Sequence, residues 1–244
     1  MIKKRALAAG LWAAGTLLVL AAPAQAALIF FDNRADFELA SGLSGITEDF
    51  EEANVAVGGF AGTSNPLDAT TNDGVFSPGD IAAGLSLSSS DPTNPLIVLG
   101  DGILGPSNKI FAESFDVLNI ISLNPPVTAV GFDLLTSRGS ATLDIALFDA
   151  VGGALGATSV TSVNDATATF FGVISDRGAI GSLTFGVPGV GEIIDNITFG
   201  NAIAQLPEPA SLALFGLSLL GLGVAIRRRD YLARPRLQSS STPS

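Results

Sequence analysis

Apolar residues fall into three regimes along this chain. Charge-free, mainly apolar runs fill residues 6–22 and 210–226, and between them apolar positions come in short bursts and period-two alternations. The alternations are clearest in the second half, at 117–123, 128–136, 141–149, 157–163, 168–175, 179–187 and 192–199. These segments are rich in Val, Ile, Thr and Phe, and Gly, Pro, Asn or Asp separates most of them, which is the signature of strands joined by turns. Seven such strands in close succession predict an all-β body, an antiparallel β-sandwich or jelly-roll. In the first half, Asp32-Asn33 can cap a short helix through Phe37 and Leu39 that Gly42 and Gly45 end. A strand is expected over 46–52. From 53 to 114, Gly, Ser, Asn, Asp and Pro predominate, with apolar bursts at 85–87 and 96–99, so long loops between short strands are expected.

The two apolar runs have different flanks. Lys3, Lys4 and Arg5 precede the first, and Ala24-Gln25-Ala26 follows it. A basic start, an apolar middle and a small-residue site make a secretory signal peptide over 1–26, cut by signal peptidase after Ala26 with Ala24 as the other small residue of the site. The second run carries no charge and is followed at once by Arg227, Arg228 and Arg229. Its 17 residues make roughly 25 Å of helix, slightly less than the ~30 Å hydrocarbon core. One transmembrane helix over 210–226 is expected, with the arginine side cytoplasmic and the body across the membrane. A buried core helix would fit the length, but three adjacent arginines argue against it.

Composition sharpens this layout. The chain has 244 residues, no His and no Cys, and a net charge of −11. Ser-His-Asp and Cys-His catalysis, the usual zinc ligand sets and disulfides are therefore excluded. Between residues 27 and 205 only Arg34, Lys109, Arg138 and Arg177 are basic, against 21 acids, a net charge of −17. Such a body offers nucleic acid no counterion-displacing surface. The high mean hydropathy, +0.48, comes in part from the two terminal runs.

Just before the second run stands Pro207-Glu208-Pro209. Two prolines around an acid hold the backbone extended, and Pro209 fits the first turn of a helix. This motif, the short apolar helix and the Arg227–Arg229 cluster, in a chain with a signal peptide, together resemble the PEP-CTERM sorting domain. The resemblance covers 206–229 and implies that exosortase, an integral-membrane cysteine protease, reads Pro207, Glu208 and Pro209. Arg227, Arg228 and Arg229 would be the retention charges. It also implies a Gram-negative, exopolysaccharide-producing setting and cleavage near the motif. Residues 230–244 depart from the pattern, in which the chain often stops soon after the arginines, and read as a disordered cytoplasmic tail. The body at 27–205 also resembles, more loosely, the β-sandwich ectodomains of such proteins. The features it shares are an early helix and strands carrying Phe50-Glu51, Phe171-Gly172-Val173 and Ile194-Asp195-Asn196-Ile197.

One polar residue of the last strand needs explaining. Alternation places Asp195 on one face with Ile193, Ile197 and Phe199, where a carboxylate must be paired or bound. Calcium takes six to eight oxygen ligands, and the likeness of Phe50-Glu51 and Asp195 to a pair in carbohydrate-binding-like jelly rolls implies a structural calcium at Glu51 and Asp195. The alternative is that Asp195 bonds loop N–H groups, Arg138 or Arg177. No acid pair is singled out for glycoside hydrolysis, and a non-catalytic body is expected. Sugar binding, with exopolysaccharide as the partner, is the second class. Its usual platforms are Trp and Tyr, but the one Trp, Trp12, lies in the signal peptide and the one Tyr, Tyr231, beyond the arginines.

Overall fold

The computed structural model describes residues 27–203, apart from 44, 45, 105, 106, 108, 113–117, 138, 163–167, 177 and 188. Residues 1–26 and 204–244 lie outside the described residues. With them lie Ala24, Ala26, Pro207, Glu208, Pro209, Arg227, Arg228 and Arg229 and the expected span at 210–226, and Arg138 and Arg177 are likewise not described. The chain divides into two units, Met1–Ile203 and Ala204–Ser244. Among the described residues no helix is long and apolar enough to cross a membrane.

Among the described residues, the first unit is two packed antiparallel sheets with one helix. Its first half holds β1 (Leu28–Phe31), α1 (Arg34–Ser41), β2 (Ile46–Glu48), β3 (Phe60–Thr63), β4 (Leu67–Asp68), β5 (Leu85–Ser89), β6 (Leu96–Leu99) and β7 (Lys109–Ala112). Its second half holds β8 (Asn119–Val127), β9 (Ala129–Thr136), β10 (Ala141–Asp149), β11 (Ala154–Ser162), β12 (Thr169–Ser175), β13 (Ile180–Gly186) and β14 (Glu192–Gly200). One sheet runs β1-β12-β9-β14-β7-β6-β3, with β2 also on β14, and the other runs β11-β10-β13-β8-β5-β4. Between them lies the main core, which includes Phe132, Phe171, Phe185, Leu134, Leu147, Leu183 and Ile197. Phe132 stands 5.3 Å from Phe171 and 5.5 Å from Phe185, ring centre to ring centre, tilted as aromatic quadrupoles prefer.

Helix α1 covers the outer face of the first sheet. Asn33 caps it by accepting the Asp36 N–H, and Gly42 ends it in the left-handed conformation. Phe37 packs there with Phe170 and Ala129. Glycine makes the approach possible: a Cβ on Gly172 would stand 2.8 Å from Phe37, and one on Gly131 would stand 2.7 Å from Phe170.

The expected strand over 46–52 is shorter than its sequence suggests. β2 stops at Glu48, and Phe50 has φ +59°, so Phe50-Glu51 leaves the strand, with Phe50 buried and Glu51 exposed. The cause is local competition by side chains. Glu48 accepts the Phe50 N–H at 2.9 Å and the Ala82 N–H at 2.7 Å, and Asp49 accepts the Glu51 N–H.

Candidate functional site

Strand β14 is where the first sheet changes partners. Along one edge it pairs β7 at Ile193–Ile194 and β2 at 197–199, and along the other it pairs β9. Against β9 the register slips by one residue between Asp195 and Thr198, and Asn196 takes φ +51°. This bulge overturns the simple alternation. Ile194, Ile197 and Phe199 point into the main core, whereas Asp195 lies opposite Asp133, on the outer face. Asp195 is still only 3% exposed. It accepts the Ser107 hydroxyl at 2.7 Å and the Asn196 N–H at 2.8 Å, so loop and backbone donors do answer it.

Arg34, one of four cations in the acidic body, binds beside it. Its guanidinium contacts Asp133 at 3.0 Å, donates to the Asn196 carbonyl at 2.8 Å and the Thr198 hydroxyl at 3.0 Å, and stacks 4.7 Å over Phe170. Asn196 Nδ2 donates to the other Asp133 oxygen. Sequence reasoning singled out Asp195 and missed Arg34, although the scarcity of cations was the available signal. The arrangement ties helix, bulge and sheet together, which is structural work.

The other buried acids have their own partners. Glu192, 2% exposed, faces between the sheets, accepting the Val187 N–H at 2.7 Å and Asn119 Nδ2 at 3.1 Å. Burial, only partly offset by those donors, pushes its carboxyl up to about 7. Burial also raises Glu48, against the pull of the Ala82 and Phe50 N–H groups. Carboxylate oxygens of Glu48, Asp49 and Glu52 lie within 4.8 Å of one another, a grouping that contains neither Glu51 nor Asp195. Glu51 is exposed. Glu48 already spends both oxygens on backbone donors, so the trio has fewer free oxygens than its carboxylates suggest.

A groove of about 520 Å³ opens between the sheets where β1 and β11 are edge strands, lined by Phe30, Phe31, Asp32, Thr158, Thr161 and Phe171 among others. Phe30 is 40% exposed and faces solvent at this groove.

The family described as the PEP-CTERM protein-sorting motif matches residues 205–229. The chain therefore carries that motif, as an exosortase substrate would. No curated protein matches the chain. Among solved structures, the chain is similar to CsCBM6-3 from Clostridium stercorarium, solved with cellobiose, at 17% identity and a TM-score of 0.32 over 60% of this chain and all of that one. It is similar to a family 11 carbohydrate-binding module from Clostridium thermocellum, solved with a mixed-linked tetrasaccharide, at 12% identity and 0.32 over 58% and 98%. A variant of the family 29 module CBM29-2 follows at 12% and 0.29 over 62% and 97%. At such identities and scores these likenesses say nothing of what this chain binds.

Proposed function

We propose that this chain is an exported, non-catalytic surface or matrix protein of an exopolysaccharide-producing Gram-negative cell. Signal peptidase removes 1–26, and the span at 210–226 with Arg227, Arg228 and Arg229 holds the body on the far side of the membrane. Exosortase then cuts near Pro207, Glu208 and Pro209, releasing the body to the cell surface or matrix. The sorting motif at 205–229 is the observation that carries this reading. Replacing Pro207, Glu208 and Pro209 together by alanine tests it. The variant is expected to stay in the membrane with its arginine tail, and release at the wild-type rate contradicts the reading.

The groove supports a second reading, a carbohydrate-binding or adhesion module. An exposed aromatic ring beside Thr and Ser hydroxyls and the Asp32 carboxylate offers the stacking face and the donors and acceptors that a sugar uses. Glycan-array binding by residues 27–203 that Phe30→Ala abolishes supports it, and binding indifferent to that change removes it. In the calcium-dependent form of this reading Glu51 and Asp195 supply oxygens to the ion. A melting temperature that chelator leaves unchanged removes that form, because a ligand of the native state must stabilise it.

A further inference from the structure

The last described residues of the body form a latch. After β14, the Ala202 N–H donates to the Thr128 hydroxyl at 2.8 Å, and the Ile203 N–H donates to the Ser41 carbonyl at 2.8 Å. That carbonyl belongs to the last turn of α1, where helical carbonyls lack intrahelical partners. Ala202 also packs against the Phe37, Ala129 and Phe170 cluster. The Ile203 side chain lies over Gly42, where a Cβ would meet it at 3.2 Å, and is otherwise 67% exposed.

Only residues 204–206 separate this latch from Pro207. Fully extended they reach about 10 Å. A protease takes its substrate as an extended strand through main-chain hydrogen bonds, and several residues before a scissile bond must enter its groove. For a cut near Pro207 those residues include Ala202 and Ile203, whose N–H groups the body already uses.

We propose that this latch gates processing: the protease engages only chains whose residues 202–203 have peeled from α1 and from Thr128. Body and protease compete for the same backbone donors, so latch strength sets the cleavage rate. The inference rests on exosortase cleavage near 207–209 and adds its regulation.

Pulse–chase of the full-length protein in cells with the protease tests it, scoring cleaved chain against time. Two variants are compared with wild type. Thr128→Val removes the acceptor of the Ala202 N–H while keeping the side-chain shape, and a Gly-Ser-Gly-Ser insertion after Ile203 supplies free strand without touching the packed body. Loss of one hydrogen bond is expected to speed cleavage about 2- to 10-fold, and the insertion to speed it at least as much. Insertion chains cleaved at the wild-type rate or more slowly overturn the latch, even if Thr128→Val fails to fold. Wild-type chains that are never cut near 207–209 overturn the exosortase reading, and the latch with it.

Discussion

The two halves of the body are held in different ways. From β8 to β14 long strands pair in extended ladders, broken only by local register shifts, around the Phe132, Phe171 and Phe185 cluster. From β2 to β7 the strands are short, and side chains bonded to backbone bind the loops between them. Asp73 shows the second style. It accepts the hydroxyls of Thr63 and Ser64 and the N–H groups of Ser64, Val75 and Phe76, joining β3 to a loop ten residues on. Asn65 acts similarly, its Nδ2 reaching the Asn94 carbonyl at 2.7 Å. Where apolar alternation fails, Asp, Asn, Ser and Thr replace ladder bonds with local ones, so an acidic, Gly-rich stretch can still have one conformation.

Substitutions separate the two styles. Phe132→Ala opens a hole between the sheets and is expected to cost about 3–5 kcal/mol, with urea unfolding shifting as one transition. Arg34→Ala removes the tie between α1, Asp133 and the bulge, and about 2 kcal/mol is expected in the same measurement. A double-mutant cycle with Asp133→Asn reads the coupling directly.

Asp73→Asn probes the first half. Its partial burial acts to raise the carboxyl, but the Thr63 hydroxyl and the Phe76, Ser64 and Val75 N–H groups outweigh it and hold it well below the usual range. A lowered carboxyl contributes stability above its ordinary value of 3.8 and loses it as the pH falls through the folded-state value. A loss of about 1–2 kcal/mol is expected at neutral pH, with hydrogen exchange rising over 63–76 and scarcely in β8–β14, and the difference fading in strong acid.

Glu192→Gln has the opposite sign. Its folded value of about 7 lies above the ordinary 4.5, so its protonated form stabilises the fold below 4.5 and that contribution is lost as pH rises through 7. The variant is expected to be about 1 kcal/mol more stable than wild type at pH 8, with melting curves converging near pH 4.5.

Much of the second half was legible in the sequence. Residues 141–149 form β10 as read, 192–199 became β14 with one residue more, and the Asn33 and Gly42 caps bound α1 where expected. Period-two patterns and cap chemistry are local signals that packing here reinforces. β3, β4 and β7 escaped notice because two to four residues, one of them Gly62, carry too little pattern. The Asp195–Asn196 bulge escaped because it falls where β14 exchanges β7 for β2 along one edge while still pairing β9 along the other, which no single stretch encodes. No local pattern marks Glu48 and Glu192 as buried, since their burial depends on donors distant in sequence, at Ala82 and Asn119. The sorting motif needed no fold, because its order along the chain is the signal.

The intact mass of the protein recovered outside the cell tests the central claim most directly. A chain that begins at Ala27 and ends between residues 204 and 209 is predicted. A chain that still carries Arg227, Arg228 and Arg229 and runs on to Ser244 would contradict it.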